Sequence, residues 1–195
     1  MIKSFKDTDT KQLFEGEPVK RWKHIEPVAR RKLVMIDAAV KLEDLKVPPG
    51  NKLHKLDKGS YRVIWNSDKR SVSRLFRVAR RRRTLCGDYR LSLEGIMTKL
   101  KPIHPGEILR EEFMVPFELN PNKLALALRV AAPNVYDIIH ERRGISSEMS
   151  LRLARYFRTT PEFWINLQAH YDLAVSRQEV ESKINHEVAP MTTNA

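Results

Sequence analysis

The sequence contains one cysteine, Cys86, in 195 residues. A single thiol excludes a disulfide framework and a zinc site built from cysteines. No apolar run is long enough to span a bilayer, and residues 1–6 do not have the composition of a signal peptide. We therefore expect a cytoplasmic protein with no membrane partner, no bound metal and no cofactor.

Acidic residues are scarce in one half of the chain only. The net charge is +12, which is typical of a nucleic-acid partner. Residues 1–96 hold 24 Lys and Arg against 12 Asp and Glu, a difference of +12, whereas residues 97–195 hold 12 of each. The global charge therefore says nothing about what residues 97–195 bind.

The second half of the chain has apolar residues at helical spacing, and its helix starts carry capping residues. Phe163 and Trp164 are expected to pack in the core. The pattern predicts an all-α unit of five helices. The expected helix starts are Pro105, Asn120 with Pro121, Pro133, Ser146, and Thr160 with Pro161.

Helices over residues 121–129 and 133–141, joined by a short turn, have the spacing of a helix-turn-helix, although any five-helix unit could share this periodicity. The first would brace the phosphate backbone, and the second would enter the major groove. Asn134 could pair with adenine, Ala132 or Tyr136 could touch a thymine methyl, and the arginines after the helix suit phosphates. The expected DNA-binding residues are Asn122, Lys123, Ala132, Pro133, Asn134, Tyr136, Asp137, His140, Arg142 and Arg143.

Four stretches carry a specific resemblance: HPGEIL at 104–109, RRGIS at 142–146, LRLARYF at 151–157 and PEFWINLQ at 161–168. Residues 97–174 resemble the HigA family of antitoxins, which has a five-helix lambda-repressor-like, Cro/repressor-type fold. The resemblance implies a homodimer that binds a palindromic operator in double-stranded DNA and represses its own operon.

Three positions depart from that family's pattern. The family usually has glycine where Arg129 and Glu141 stand, so a backbone with positive φ is expected at both, at a cost of roughly 1 kcal/mol for a non-glycine residue. A basic residue is usual where Asn134 stands. The departures affect operator sequence and affinity more than the fold.

The first half of the chain mixes helices and strands. Residues 1–5 could form a short strand, residues 7–16 a short helix, and residues 25–40 a longer helix. Residues 53–56 and 60–65 alternate as half-buried strands do. The chain as a whole is therefore expected to be α+β.

The opening strand, the helix around residues 29–40 and LHKL before a YRV strand resemble the HigB toxins, relatives of the RelE ribosome-dependent mRNA nucleases. HigB commonly precedes HigA in one operon, which fits the order here. The expected organisation is an incomplete RelE-like α/β remnant at 1–68, a basic, poorly ordered linker at 69–96, the HigA-like unit at 97–174 with its helix-turn-helix at about 120–141, and a helical extension and tail at 175–195.

Residues 69–93 hold nine Lys and Arg and one Asp, a charge of +8. This stretch could be a solvated linker or an RNA-binding patch. A third interpretation is a changed reading frame, because codons for residues 71–93, read one base later, can encode AYRVCFAWRDGDALCVEIIDYH and a stop, which is a HigB-like ending. A frameshift near residues 68–70 would have removed the toxin's last strands, and translation would continue to Met97, the expected antitoxin start.

The HigB resemblance implies that His54 would act with a terminal Asp-Tyr-His and nearby basic residues on RNA. The family lysine falls at Asp57, and the terminal triad is absent, so His54 is expected to be vestigial. Our first hypothesis is a DNA-binding antitoxin and repressor with an inactive toxin remnant, which could also bind a separate HigB-like toxin. The alternatives are an active mRNA interferase fused to its antitoxin, and a nonspecific RNA-binding protein acting through residues 69–90.

Overall fold

The computed structural model describes residues 2, 8–48, 50–55, 60–64, 77–79 and 100–191, and only the backbone of the strands at 52–55, 60–64 and 77–79. The N-terminal part begins with α1 (Thr8–Phe14), a 3-10 turn (Lys20–Trp22), α2 (Glu26–Ala38) and α3 (Leu42–Lys46). The helices expected at 7–16 and 25–40 are confirmed. Helix α3 was not predicted, and the strand expected at 1–5 lies outside the described residues apart from Ile2.

Three strands follow: β1 (Lys52–Lys55), β2 (Ser60–Ile64) and β3 (Arg77–Ala79). They form an antiparallel sheet in the order β1-β2-β3, with Leu53 opposite Val63 and Tyr61 opposite Val78. Strands β1 and β2 stand where the alternating pattern predicted them. Strand β3 falls within the stretch expected to be a linker, and residues 80–99 of that stretch lie outside the described residues.

The second half of the chain is helical, as predicted. Helix α4 (Pro105–Ile108) continues as a π-helical segment (Leu109–Met114) and a 3-10 turn (Val115–Phe117). The remaining helices are α5 (Pro121–Leu128), α6 (Ala132–Ile139), α7 (Ser147–Phe157) and α8 (Pro161–Glu187). Helix α8 extends into the segment expected to be a helical extension, whereas the tail at 192–195 lies outside the described residues.

Side-chain caps begin these helices where the sequence predicted them. Asn120 Oδ1 accepts from the Lys123 amide at 2.8 Å, and Ser146 Oγ accepts from the Met149 amide at 3.2 Å. Thr160 Oγ1 accepts from the Phe163 amide at 3.3 Å. Each cap satisfies an amide that the helix itself leaves without an acceptor.

An aromatic cluster holds the helical half together. The ring of Phe113 lies 5.0 Å from that of Phe157, 4.8 Å from that of Trp164 and 6.1 Å from that of Phe163. All four side chains are buried. The expectation that Phe163 and Trp164 belong to the core is confirmed.

Positive φ angles occur at both positions where the family has glycine, 56° at Arg129 and 62° at Glu141. These predictions are confirmed. Glu118 and Arg158 also have positive φ, which the sequence did not reveal. Arg129 and Arg158 end α5 and α7, where a left-handed residue commonly stops a helix.

The N-terminal helices pack on the helical half rather than apart from it, with α2 lying against α8. Among the described residues, no helix is both long and apolar enough to cross a membrane.

Candidate nucleic-acid interface

Helix α6 is held close to α4 because Gly106 has no side chain. A Cβ atom built on Gly106 would lie 1.8 Å from the carbonyl oxygen of Ile138, in α6, and 2.8 Å from its carbonyl carbon. Any larger residue would push the two backbones apart. The position of α6 relative to the domain therefore depends on this contact.

Two arginines fix the carboxyl ends of the helix-turn-helix. Arg110 Nη1 donates to the Ile139 carbonyl at 2.7 Å, and Arg152 Nη1 donates to the Leu128 carbonyl at 2.8 Å. These carbonyls end α6 and α5, and such oxygens have no acceptor role inside their own helix. Sequence reasoning missed both arginines, because their roles depend on partners 24 and 29 residues away.

The loop after α6 is held on α8. Gln168 Oε1 accepts from the Ile145 amide at 2.7 Å, and a Cβ on Gly144 would lie 2.9 Å from the Gln168 amide group. Gln168 in turn donates to Asp172 at 2.8 Å. The segment that carries Arg142 and Arg143 is therefore anchored at its far end.

The ten residues expected to contact DNA are all described. Six are exposed and four are partly buried, and none is in the core. Asn122 and Lys123 lie in the first turn of α5, and the others lie on α6 or just after it. The exposed residues are Asn122, Lys123, Pro133, His140, Arg142 and Arg143; the partly buried ones are Ala132, Asn134, Tyr136 and Asp137.

The two arginines fold back onto α6. Arg143 Nη1 donates to Asn134 Oδ1 at 3.0 Å, and Arg142 donates to Asp137 Oδ1 through Nε at 3.0 Å and Nη2 at 2.8 Å. The amide oxygen of Asn134 has two lone pairs, so it could accept from Arg143 and from adenine N6 together. Arg143 is thereby placed beside the side chain that would read a base.

Tyr136 and His140 form a second pair one turn apart on α6. Their rings are nearly parallel, with an interplanar angle of 10° and centroids 6.1 Å apart, and His140 Nδ1 lies 2.7 Å from the Tyr136 carbonyl oxygen. His140 is exposed, whereas Tyr136 is partly buried and packs against the core on the same helix as Asn134. Apolar contact with a thymine methyl suits such a surface.

Charges beside this surface are partly neutralised. Lys101 Nζ lies 2.7 Å from Glu141 Oε2, and its hydrogen bond lowers the pKa of Glu141. The same bond raises the pKa of Lys101. Glu141 therefore stays anionic but paired, and Lys123, Arg142 and Arg143 are the cations of the predicted surface.

His104 begins α4 as its cap. Its Nδ1 accepts from the Gly106 amide at 2.9 Å, which requires the neutral ring with its proton on Nε2. Burial lowers the pKa of His104, and the ring meets Tyr171 edge-on at 4.6 Å. The neutral imidazole thus supports the helix that positions α6.

The residues of the toxin hypothesis are less fully described. His54 lies in β1, opposite Arg62 of β2, with only its backbone described, and Asp57 is outside the described residues. Within the described ranges there is no group of three His, Cys, Asp or Glu side chains arranged to hold a metal ion.

Comparison with known proteins finds matches to a toxin family and to antitoxins. The family model of the RelE-like toxin HigB of type II toxin–antitoxin systems matches residues 3–75. Virulence-associated protein I of Dichelobacter nodosus is 40% identical over 105 residues, 54% of this chain and 95% of that protein. Antitoxin HigA-1 of Vibrio cholerae is 31% identical over 86 residues, 44% of this chain and 81% of that protein.

Among solved structures, the Pseudomonas aeruginosa antitoxin HigA with the higBA promoter is 52% identical, and the match covers 47% of this chain and 99% of that one, with a TM-score of 0.46. The five helices α4–α8, with a tight α5–α6 turn, have the arrangement of a helix-turn-helix protein of the Cro/repressor type. The chain belongs to the HigA antitoxin family. The same chain carries a HigB-like toxin segment at its N-terminus, ahead of the HigA-like part.

Proposed function

We propose that this chain is a sequence-specific DNA-binding antitoxin and transcriptional repressor of a toxin–antitoxin operon, fused to an inactive toxin remnant. The observation that carries the proposal is the surface of α6. It presents Asn134 and Tyr136 beside Arg142 and Arg143, on a helix braced by Gly106. Family membership supports the same function, because a relative of the helical half is named as an antitoxin.

The proposed contacts divide by role. Lys123, Arg142 and Arg143 bind DNA phosphates, and Asn122 donates to the DNA backbone. Pro133 lies where α6 enters the major groove. Asn134, Asp137, His140, Ala132 and Tyr136 face base edges, where a carboxylate such as Asp137 accepts from cytosine N4. We propose that two copies bind a palindrome, with half-sites about 34 Å apart, and that the protein acts in the cytoplasm, where the DNA is.

Footprinting of the full chain on DNA upstream of its gene tests this proposal. We expect a protected palindrome, and Asn134→Ala should weaken binding by about 1–3 kcal/mol while relaxing preference at one base pair of each half-site. Arg155→Ala on α7 is the matched control and should bind as the wild type does. Equal binding of all DNA sequences by the wild-type chain would refute the proposal.

We also propose that the toxin remnant has no ribonuclease activity. General acid–base catalysis on RNA needs several groups held together, and here His54 stands without the family lysine, at Asp57, and without the terminal Asp-Tyr-His. Expression of the full chain, and of residues 1–96, should neither arrest growth nor cleave mRNA. Cleavage that disappears in His54→Ala would instead support the interferase alternative.

The proposed boundaries at about 68 and 97 follow from the proposed frameshift, whereas the HigB match extends a few residues beyond the first of them, to residue 75. Sequencing the gene tests the frameshift directly, because a one-base shift should restore an ending in Asp-Tyr-His. Nonspecific, salt-dependent RNA binding that disappears on neutralising residues 69–90 would favour the third function.

A further inference from the structure

Helix α2 places two cations of the toxin-derived segment on two carboxylates of the antitoxin half. Arg31 Nε lies 2.9 Å from Glu112 Oε1, and Arg31 Nη1 lies 3.0 Å from Glu107 Oε1. Lys32 Nζ pairs with the other oxygen of Glu112. Lys32 is 2% exposed and Glu112 is 6% exposed, so these charges are shielded from water.

The pKa values at this contact reflect both burial and pairing. Burial lowers the pKa of Lys32 despite its bond to Glu112. Burial also acts on Arg31, but the hydrogen bonds to Glu112 and Glu107 outweigh it and raise its pKa. An isolated charge in such a place is strongly unfavourable, so each partner depends on the other.

A second contact joins the end of the toxin-derived helices to the start of α8. Asp44 is fully buried; its Oδ1 accepts from the Thr160 amide at 2.6 Å and its Oδ2 from the Thr160 hydroxyl at 2.9 Å. Asn166 Nδ2 donates to the Ala38 carbonyl at 2.9 Å, which satisfies the end of α2. His170 Nδ1 lies 3.3 Å from Asp37 Oδ2.

We call the antitoxin surface that receives these contacts the α4–α8 face; it carries Glu107, Glu112, Thr160, Asn166 and His170. Its two carboxylates meet two cations, and its donors meet acceptors of the N-terminal segment, residues 8–48. The two sides come from different protein families, because the HigB match covers residues 3–75. Complementary charges on two facing surfaces fix their register and exclude wrong partners, as expected where one protein recognises another.

We propose that the α4–α8 face is where the antitoxin half holds a HigB-like toxin, and that the N-terminal segment of the same chain occupies it. A separate toxin presenting the same helix is therefore excluded until that segment leaves. The proposal rests on the assignment of the chain as an antitoxin. On this proposal the fused remnant covers the toxin-binding surface of its own antitoxin half and so prevents that half from neutralising a separate toxin. The covered surface is distinct from the DNA surface on α6.

The N-terminal segment competes effectively with a free toxin for the α4–α8 face because it belongs to the same chain. Covalent attachment makes this docking intramolecular, and at an effective concentration of about 1 mM a segment with an intrinsic Kd of about 1 μM would be bound in all but about one molecule in 10³. A free toxin with the same intrinsic affinity would bind the masked chain about 10³-fold more weakly than it would bind a chain whose α4–α8 face is open. Opening the mask should restore that affinity.

The probe is a complete HigB-like chain that the shifted reading allows: residues 1–70 followed by AYRVCFAWRDGDALCVEIIDYH, with His54→Ala to prevent toxicity. Its binding to the full chain is measured by titration calorimetry after circular dichroism has established that the probe is folded. We expect weak binding to the wild type and binding at least tenfold tighter to Lys32→Glu, because the new carboxylate is repelled by Glu112.

Three further chains sharpen the test. Lys32→Glu with Glu112→Lys restores opposite charges in the chain and should again bind the probe weakly. Lys23→Glu makes the same charge change at an exposed lysine of the segment and should match the wild type. Arg31→Ala, which removes two ion pairs without adding a like charge, should be intermediate and serves if Lys32→Glu does not fold.

Equal affinity of the probe for the wild type and for both opened chains overturns the proposal, as does a folded probe that binds neither. Mixing full-length Lys32→Glu with full-length Glu112→Lys gives a check without the probe. In the mixture the N-terminal segment of each variant meets a residue of opposite charge on the α4–α8 face of the other variant. Light scattering should show a larger mass for the mixture than for either alone; an unchanged mass also counts against the proposal. Operator footprints of the same chains test the repressor assignment separately.

Discussion

Arg129→Gly should stabilise the protein, because Arg129 holds a left-handed backbone with φ of 56° at the end of α5. A non-glycine residue pays about 1–2 kcal/mol there, while glycine loses about 0.4–1 kcal/mol more entropy on folding. The net gain is about 0.5–1 kcal/mol. For a chain of this size it corresponds to a rise of about 1–4 °C in Tm.

Glu141→Gly separates backbone strain from side-chain contacts. Its φ is 62°, so the strain relieved is similar, but the substitution also removes the ion pair of Glu141 with Lys101. An exposed pair contributes about 0–1 kcal/mol, so the two effects nearly cancel. In a Lys101→Ala background, where the pair is already absent, Glu141→Gly should become stabilising.

The assay is thermal unfolding followed by circular dichroism, with Arg155→Gly as the matched control. Arg155 lies inside α7, where glycine costs about 1 kcal/mol relative to a good helix former. Arg129→Gly should have the highest Tm, the wild type and Glu141→Gly should have similar intermediate values, and Arg155→Gly should have the lowest. If Arg129→Gly lowered the Tm as Arg155→Gly does, the left-handed assignment would be wrong.

Three further predictions concern the support and charge of α6. Burial lowers the pKa of His104, so on acidification His104 is protonated in the unfolded chain before it is protonated in the folded one. The free energy of unfolding should therefore fall as the pH drops below about 6.5. His104→Asn, which keeps a capping side chain, should reduce this pH dependence, as measured by urea unfolding at several pH values. Gly106→Ala should cost more than about 3 kcal/mol and abolish operator binding, because its Cβ would meet the Ile138 carbonyl, whereas Gly50→Ala, with its nearest atom at 3.6 Å, should be nearly neutral in unfolding experiments. Arg143→Gln should weaken binding to all sequences and reduce the slope of log K against log salt by about 0.9 for each phosphate that the variant leaves unneutralised.

Local chemistry explains what the sequence could predict. The caps at Asn120, Ser146 and Thr160 each bond to an amide three residues away, so a short window contains both partners. The positive φ at Arg129 and Glu141 was accessible through the family's glycines. Helix propensity, capping and periodicity act over the same short range, which is why the helical half was predicted closely.

Long-range contacts explain what was missed. Asp44 meets Thr160 across 116 residues, and Lys32 meets Glu112 across 80. In the sequence Asp44 is one more acidic residue near a helix start, and Lys32 is one of many cations. Packing of one family's helix on another family's domain leaves no periodic signal, so the docking of α2 on α8 could only come from the structure.

Asp44 also changes what counts as a harmless substitution in the HigB-like segment. If Asp44 were replaced by alanine with the segment still docked, the Thr160 amide and hydroxyl would lose a buried acceptor, at about 1–3 kcal/mol for each unpaired group. Removal of the whole segment would return both groups to water. At this contact, therefore, replacing one carboxylate costs the antitoxin half more than losing the whole segment would.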